Sequence, residues 1–217
     1  MTRTANAARF FDSFAKAFDT IYDSKRNFVM RSLDRYLRSD MFIRYALTFE
    51  VFGDLKGKTV LDIGCGSGPY VIEALSRGAA MVTALDPAPN MLDLVRSRLD
   101  KTPFSERCSV VQGAFPETNV PVHDFVIIMG VMDYVEDVGA FLAAVKPVTR
   151  TAVAISFPST HWFRMPLRRI RYRLRRCPLY FYEEADIRRL GSAAGFTEVE
   201  VRKIPGAGMD YHVCLKP

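Results

Sequence analysis

Three glycines alternate with other residues at the end of an apolar run, in the segment VLDIGCGSGPY that covers residues 60–70. Glycine suits a sharp turn and the close approach of another molecule to the backbone. The GxGxG spacing, followed directly by Pro69, differs from the GxGxxG pattern that cradles a pyrophosphate, and no P-loop Lys-Ser or Lys-Thr pair follows the glycines. The segment therefore predicts a ligand-binding turn that does not hold a diphosphate.

Asp86 is the second candidate ligand residue. It ends the next β-branched run, about twenty residues after the glycines, where a carboxylate can accept hydrogen bonds from two ribose hydroxyls. Together with the glycine turn, this carboxylate favours an adenosine ligand without a diphosphate. A tight turn that serves packing alone is the alternative.

Short β-branched runs alternate with amphipathic helical stretches through the middle of the chain. The runs cover residues 59–64, 81–86, 108–113, 124–130 and 151–157, and the helical stretches between them cover 69–78, 88–100 and 135–146. This alternation predicts a parallel sheet with helices on both faces, whose ligands bind beyond the carboxyl ends of the strands. A helix at 183–195 and strands at 197–204 and 210–216 follow, and the residues up to about 52 predict two or three helices.

The composition, with 217 residues of which 49% are hydrophobic and 25% charged, is that of one globular domain. The start of the chain has no apolar segment of signal-peptide length, and the longest apolar run, at 125–132, is too short to cross a bilayer. We therefore expect a cytoplasmic protein. The four cysteines are scattered without metal-ligand spacing, so we expect reduced thiols and no metal site.

Four segments resemble the motifs of the class I S-adenosylmethionine-dependent methyltransferases. VLDIGCGSG is similar to motif I, VTALDPAPNML to the segment after it, and VVQGAF and DFVIIMGVMDYVED fall where the next two motifs occur. The resemblance covers about residues 55–145. It implies an α/β, Rossmann-like fold: a seven-stranded, mostly parallel sheet with helices on both faces, an antiparallel last strand and an N-terminal helical segment. It also implies a methyltransferase with S-adenosylmethionine as cofactor and S-adenosylhomocysteine as product.

The resemblance further implies a set of cofactor-binding residues. Gly64, Cys65 and Gly66 would let the backbone approach the methionine moiety, and Asp86 would hold the ribose. The other residues assigned to this site are Pro87 and Met91 beside the adenine, Ala114 where the family commonly has Asp, Phe115 as contact area, Met129 in the fourth-strand motif, and Tyr22, folded over the cofactor. For Tyr22, an aromatic helix face packed on the core is the alternative.

The residues after the fourth strand narrow the classes of methyl acceptor that fit the sequence. GVMDY contains neither the Asn/Asp-Pro-Pro-aromatic motif of DNA amino methylation nor the Glu-x-x-Glu-His of quinone-pathway O-methyltransferases. The region after the fifth strand is loosely similar to that of magnesium-protoporphyrin O-methyltransferases, which favours a small or amphiphilic acceptor methylated at oxygen. His161 is the best-placed candidate base, and Tyr134 and Tyr182 are weaker alternatives. For His161, a loop histidine bonded to a backbone group is the alternative.

Seven arginines fall within residues 164–176, and no acidic residue occurs from 154 through 182. Leu167, Ile170 and Leu174 recur among them at helical spacing, which predicts a basic amphipathic helix. Three roles stay open: a lid over an anionic acceptor, a membrane-surface patch reaching a lipid-like substrate, or a solvated face without a partner. Nucleic acid is not the expected partner, because no base-stacking motif accompanies the arginines. The sequence does not indicate an oligomeric state.

Four parts are expected within the single domain. They are an N-terminal helical lid at 1–54, the cofactor-binding core at 55–157, a basic lid insertion at 158–182, and a helix with a hairpin at 183–217 that completes the core. Two other functions stay open, a catalytically silent module that keeps the cofactor site and an RNA methyltransferase. The GxGxG spacing and Pro69 oppose a nicotinamide-dependent oxidoreductase.

Overall fold

Seven strands form one sheet in the part of the chain that the computed structural model describes, residues 39–159, 180–205 and 210–217. The strands are β1 (Thr59–Ile63), β2 (Met81–Asp86), β3 (Cys108–Gln112), β4 (His123–Ile128), β5 (Thr149–Phe157), β6 (Glu198–Lys203) and β7 (Tyr211–Lys216). Their order across the sheet is β3-β2-β1-β4-β5-β7-β6, and β7 alone runs in the opposite direction to the other six strands. The mostly parallel, seven-stranded fold with an antiparallel last strand is therefore confirmed.

Helices cover both faces of this sheet. They are α1 (Ser39–Phe52), α2 (Pro69–Ser76), α3 (Pro89–Leu99), α4 (Val138–Val145) and α5 (Glu184–Ala193). The first three pack on one face, in a core that includes Phe49, Leu75 and Val95. The other two pack on the opposite face, in a core that includes Leu142 and Ile187. The result is the three-layer arrangement that alternating strands and helices predict.

The local sequence explains these elements. Ile127 and Ile128 are adjacent in β4, yet both are fully buried, one on each face, which is why the central strands are continuous apolar runs. The helices α2 and α3 each begin with a proline, whose missing N–H is harmless in a first turn. Asp137 caps α4 by accepting a hydrogen bond from the Ala140 N–H at 2.9 Å.

The sequence-based and observed elements differ mainly where glycines end the strands. The runs at 59–64 and 124–130 end as strands at Ile63 and Ile128, because Gly64 and Gly130 turn the chain with φ angles of 71° and 74°. The helices expected before residue 39 and in the basic segment lie outside the described residues. No helix within the described ranges is long and apolar enough to cross a membrane.

Candidate functional site

The turn between β1 and α2 is bonded to the end of β2. The Gly64 and Cys65 N–H groups both donate to the Leu85 carbonyl, at 2.8 and 3.1 Å, and the Gly68 N–H donates to the Cys65 carbonyl at 2.9 Å. These bonds fix the glycine turn at the carboxyl edge of the sheet, as the sequence predicts.

The three glycines have different reasons to lack a side chain. A Cβ on Gly64 would lie 2.5 Å from Val131 Cγ2, and a Cβ on Gly68 would lie 2.9 Å from Val95 Cγ2. Gly66 has a φ of 53°, and a Cβ built on it would meet nothing within 4 Å. Packing therefore accounts for Gly64 and Gly68, whereas Gly66 adjoins open space that a ligand can enter.

Asp86 lies beside that open space with both carboxylate oxygens engaged. Oδ2 accepts from the Gly66 N–H at 2.9 Å, and Oδ1 accepts from the Ala88 N–H at 2.8 Å. Burial raises the pKa of the Asp86 carboxyl, and the two backbone hydrogen bonds oppose this shift. A carboxylate has about four lone-pair positions, so each oxygen can accept a further hydrogen bond from a ligand.

Asp62 is a second buried carboxyl next to the turn, and it was missed by the sequence analysis. It is 1% exposed, and its Oδ2 has no hydrogen-bond partner among the described residues. Burial, and then the charge of Asp86, raise the pKa of Asp62 to about 8. A buried polar group without a partner is rare in native proteins, and an ordered water or a ligand group can supply the partner. The available signal was an acidic residue inside an otherwise apolar strand.

The residues assigned to the adenine differ in how much of their side chains is exposed near the end of β2. Pro87, Ala114 and Phe115 are half-buried, and the Phe115 ring packs edge-on against Phe141 with centroids 5.3 Å apart. Met91 is 1% exposed, so it supports the site from within the core and offers almost no open surface. Its contact with adenine stays a prediction.

The loop after β4 forms the opposite wall of the site. Val131 in this loop is the side chain that adjoins Gly64, and the Tyr134 N–H donates to the Val131 carbonyl at 3.0 Å. The Gly130 N–H donates to Ser156 Oγ at 2.8 Å, which ties the loop to β5. Met129 and Tyr134 are both half-buried here. The loop thus brings Tyr134 to the same edge of the sheet as the glycine turn.

The two ends of the basic insertion meet at this edge too. The Tyr182 N–H donates to the Pro158 carbonyl at 3.0 Å, Ser159 pairs with Tyr182 as an isolated bridge, and the Tyr180 N–H donates to the Asp133 carbonyl at 3.2 Å. Burial and the neighbouring Tyr180 and Asp133 raise the pKa of Tyr182 to about 12. Tyr182 therefore keeps its proton near neutral pH and is a poor base.

The remaining candidates divide between those inside and those outside the described residues. Tyr22 and His161 lie outside them. Cys65 is buried, and burial raises the pKa of its thiol, so it suits packing in the turn and not nucleophilic chemistry. Across the described ranges, no group of three or more His, Cys, Asp or Glu residues could hold a metal ion.

Residues 60–152 match a family described as a methyltransferase domain. The match covers the glycine turn, Asp86 and strands β1 to β4 apart from Thr59, and it ends within β5. Over these residues, which are less than half of the chain, the protein is similar to a methyltransferase domain.

Curated relatives of the methyltransferase domain match only part of the chain. The ubiquinone biosynthesis O-methyltransferase of Rhodopseudomonas palustris (strain HaA2) is 36% identical over 99 residues, which are 43% of this chain and 38% of that protein. The ribosomal protein L11 methyltransferase of Citrobacter koseri is 44% identical over 54 residues, which are 25% of this chain and 18% of that protein. The matched part thus spans less than half the length of these relatives.

Among solved structures, the similarity extends beyond the matched residues and covers the whole chain. The magnesium protoporphyrin IX methyltransferase of Synechocystis PCC 6803, solved with bound SAH, superposes with a TM-score of 0.79 over 100% of both chains at 20% identity. At this identity, the likeness shows a shared fold.

Proposed function

We propose that the chain is an S-adenosylmethionine-dependent methyltransferase that acts at an oxygen of a small or amphiphilic molecule. The observation that carries this proposal is the arrangement at the carboxyl edge of β1 and β2. Open space at Gly66 lies beside Asp86, which retains acceptor capacity, and near Asp62, which has an unpartnered oxygen.

This arrangement fits an adenosine ligand that carries an amino acid. The remaining lone pairs of Asp86 suit two ribose hydroxyls, the open backbone at Gly66 suits the methionine part, and the Asp62 carboxyl suits its ammonium group. The other proposed contacts of the cofactor are Tyr22, Gly64, Cys65, Pro87, Met91, Ala114, Phe115 and Met129.

When bound, S-adenosylmethionine supplies an activated methyl group on a sulfonium. The chain aligns the acceptor oxygen with that group, excludes water and accepts a proton where the acceptor is a hydroxyl. Tyr134 and His161 are the proposed proton acceptors. Tyr134 is supported by its place in the loop that adjoins the glycine turn.

The acceptor class is supported by the names of similar proteins and by the placement of the insertion. Ubiquinone biosynthesis O-methyltransferases and a magnesium protoporphyrin IX methyltransferase are both named for small-molecule chemistry. Because the insertion begins at the end of β5 and its last residues contact the loop after β4, we propose residues 158–182 as the acceptor lid. We propose residues 1–54 as an N-terminal lid whose last helix, α1, packs on the sheet. A membrane-surface contact through the basic segment, a cytoplasmic location and the absence of nucleic acid from its partners stay predictions.

Calorimetric titration with S-adenosylmethionine, with NAD as the control ligand, tests the proposal. We expect saturable binding of S-adenosylmethionine alone, and we expect Asp86→Ala and Asp86→Asn to weaken it at least about tenfold, because hydrogen bonds to a charged group are lost. Asp93→Ala is the matched control, since Asp93 is exposed on α3. Binding of NAD, or unchanged affinity in both Asp86 variants, would overturn the assignment. Bound cofactor without methyl transfer to any acceptor would favour the silent module.

A further inference from the structure

Arg44 places a guanidinium group beside the carboxyl end of β5. It lies on α1, and its Nη1 donates to Ser156 Oγ at 3.4 Å, at the carboxyl end of β5. The same oxygen accepts from the Gly130 N–H at 2.8 Å, and the next residue, Val131, adjoins Gly64 of the glycine turn. A short chain of contacts therefore connects Arg44 to the wall of the proposed cofactor site.

Among the described residues, Ser156 is the one hydrogen-bond partner of the Arg44 guanidinium. Its Nε is buried without a hydrogen-bond partner, and no carboxylate in the described part of the chain forms an ion pair with it. Arg188 and Arg202, which are exposed, both have carboxylate partners. Because a buried N–H without an acceptor costs folding free energy, its retention on Arg44 needs another explanation than stability.

The backbone beneath Arg44 is firmly held. Thr48 Oγ1 donates to the Arg44 carbonyl at 2.8 Å and lies 3.2 Å from His212 Nε2, which donates to it in the matching tautomer. Burial, and then the nearby Arg202 and Arg44 charges, lower the pKa of His212 to about 4, so the imidazole is neutral near pH 7. His212 pairs with Ser156 across β5 and β7. The helix is thus fixed against the sheet at the level of the guanidinium.

We propose that the edge of Arg44 formed by Nε and Nη2 binds an oxyanion group of the methyl acceptor, a carboxylate or a phosphate. This inference rests on the proposed methyltransferase function and specifies its substrate class as anionic. Nη1 is directed at Ser156, and the other edge of a guanidinium forms two parallel hydrogen bonds with a planar or tetrahedral oxyanion. A neutral acceptor would leave this edge unpaired.

NMR of the arginine Nε–H groups reads this edge directly. The protein, saturated with S-adenosylhomocysteine, is titrated with 4-hydroxybenzoate, phenyl phosphate and the neutral 4-hydroxybenzamide, and the Arg44 signal is identified by its loss in Arg44→Lys. We expect a saturable shift of that signal with the carboxylate, the phosphate or both, and none with the amide. The anion that shifts it names the group. No shift with either anion, or an equal shift with the amide, would overturn the inference.

Matched variants separate recognition from structure. Arg44→Gln should weaken binding of the anion that shifts the Arg44 signal by about ten- to a hundredfold. Arg44→Lys should weaken it too, because an ammonium group cannot form the two parallel hydrogen bonds of a guanidinium. Arg202→Gln removes the same charge from an exposed position that contacts α1 through Glu50, and it should leave binding unchanged. A purely structural Arg44 would instead show a lower urea midpoint in Arg44→Gln with unchanged anion binding.

Calorimetry with S-adenosylhomocysteine distinguishes failure of this inference from failure of the proposed methyltransferase function. If the wild-type protein does not bind S-adenosylhomocysteine, the proposed function fails. If wild type and Arg44→Gln bind S-adenosylhomocysteine equally, but the Arg44 signal of wild type responds to neither anion, the inference about Arg44 fails. The proposed function then stands.

Discussion

The buried Asp62 carboxyl should make the protein less stable as the pH rises. Its pKa is about 8 in the folded protein against an ordinary value of 3.8, so between these limits the folded state binds a proton that the unfolded state has released. The free energy of unfolding then falls with rising pH by about 1.4 kcal/mol per unit. From about pH 5 to pH 8 this amounts to as much as about 4 kcal/mol.

Asp62→Asn should remove this dependence, because an amide of nearly the same shape has no proton to lose. The assay is urea unfolding of wild type and variant at about pH 5, 6, 7 and 8. We expect the variant to gain stability over wild type steadily as the pH rises. Asp93→Asn, whose side chain is 69% exposed, is the control and should show no such trend.

A difference between wild type and Asp62→Asn that stays constant across this pH range would refute the reasoning. A second readout uses the ligand. A bound ammonium group would lower the pKa of Asp62, so S-adenosylmethionine binding near pH 7 should release up to about one proton. Calorimetry in buffers of different ionisation enthalpy measures that proton, and Asp62→Asn should abolish its release.

Four other substitutions test separate parts of the structure. Gly64→Ala should lower the free energy of unfolding by about 1–3 kcal/mol in urea titrations, because its Cβ would lie 2.5 Å from a valine side chain. Gly66→Ala should lower that free energy by about 1 kcal/mol, and its main effect should be weaker cofactor binding in calorimetry. Thr48→Val should cost about 1–3 kcal/mol in the same unfolding assay, since it removes the buried partner of His212. Tyr182→Phe should leave the pH profile of methyl transfer near neutrality unchanged, because the Tyr182 pKa is about 12; loss of the basic limb of that profile would contradict this.

The fold was predictable because burial on both faces is recorded in the sequence. A strand covered on both sides must be apolar at consecutive positions, and the continuous run in β4 shows this directly. The antiparallel last strand came only from resemblance, because a β-branched run does not record its direction. Strand ends were overextended at Gly64 and Gly130, since only the backbone φ shows that the chain has already turned.

The site was only partly predictable. Asp86 was found because its spacing from the glycines is a pattern along the chain. Asp62 and Arg44 were missed because their significance lies in unpartnered atoms, which depend on neighbours from distant segments. The requirement for glycine at position 64 comes from Val131, which is far along the chain and adjoins the turn only in the folded sheet.

The last strand in chain order is an interior strand, and this affects how the protein is made. β7 lies between β5 and β6, and its His212 also holds α1. During ribosomal synthesis, β5 therefore presents an unpaired apolar edge until residues 211–216 have emerged, while β6 emerges earlier with no neighbour to join. Nascent chains arrested before this strand should be the species that chaperones bind and that aggregate, and emergence of residues 211–216 should add the Thr48–His212 contact to the packing of α1.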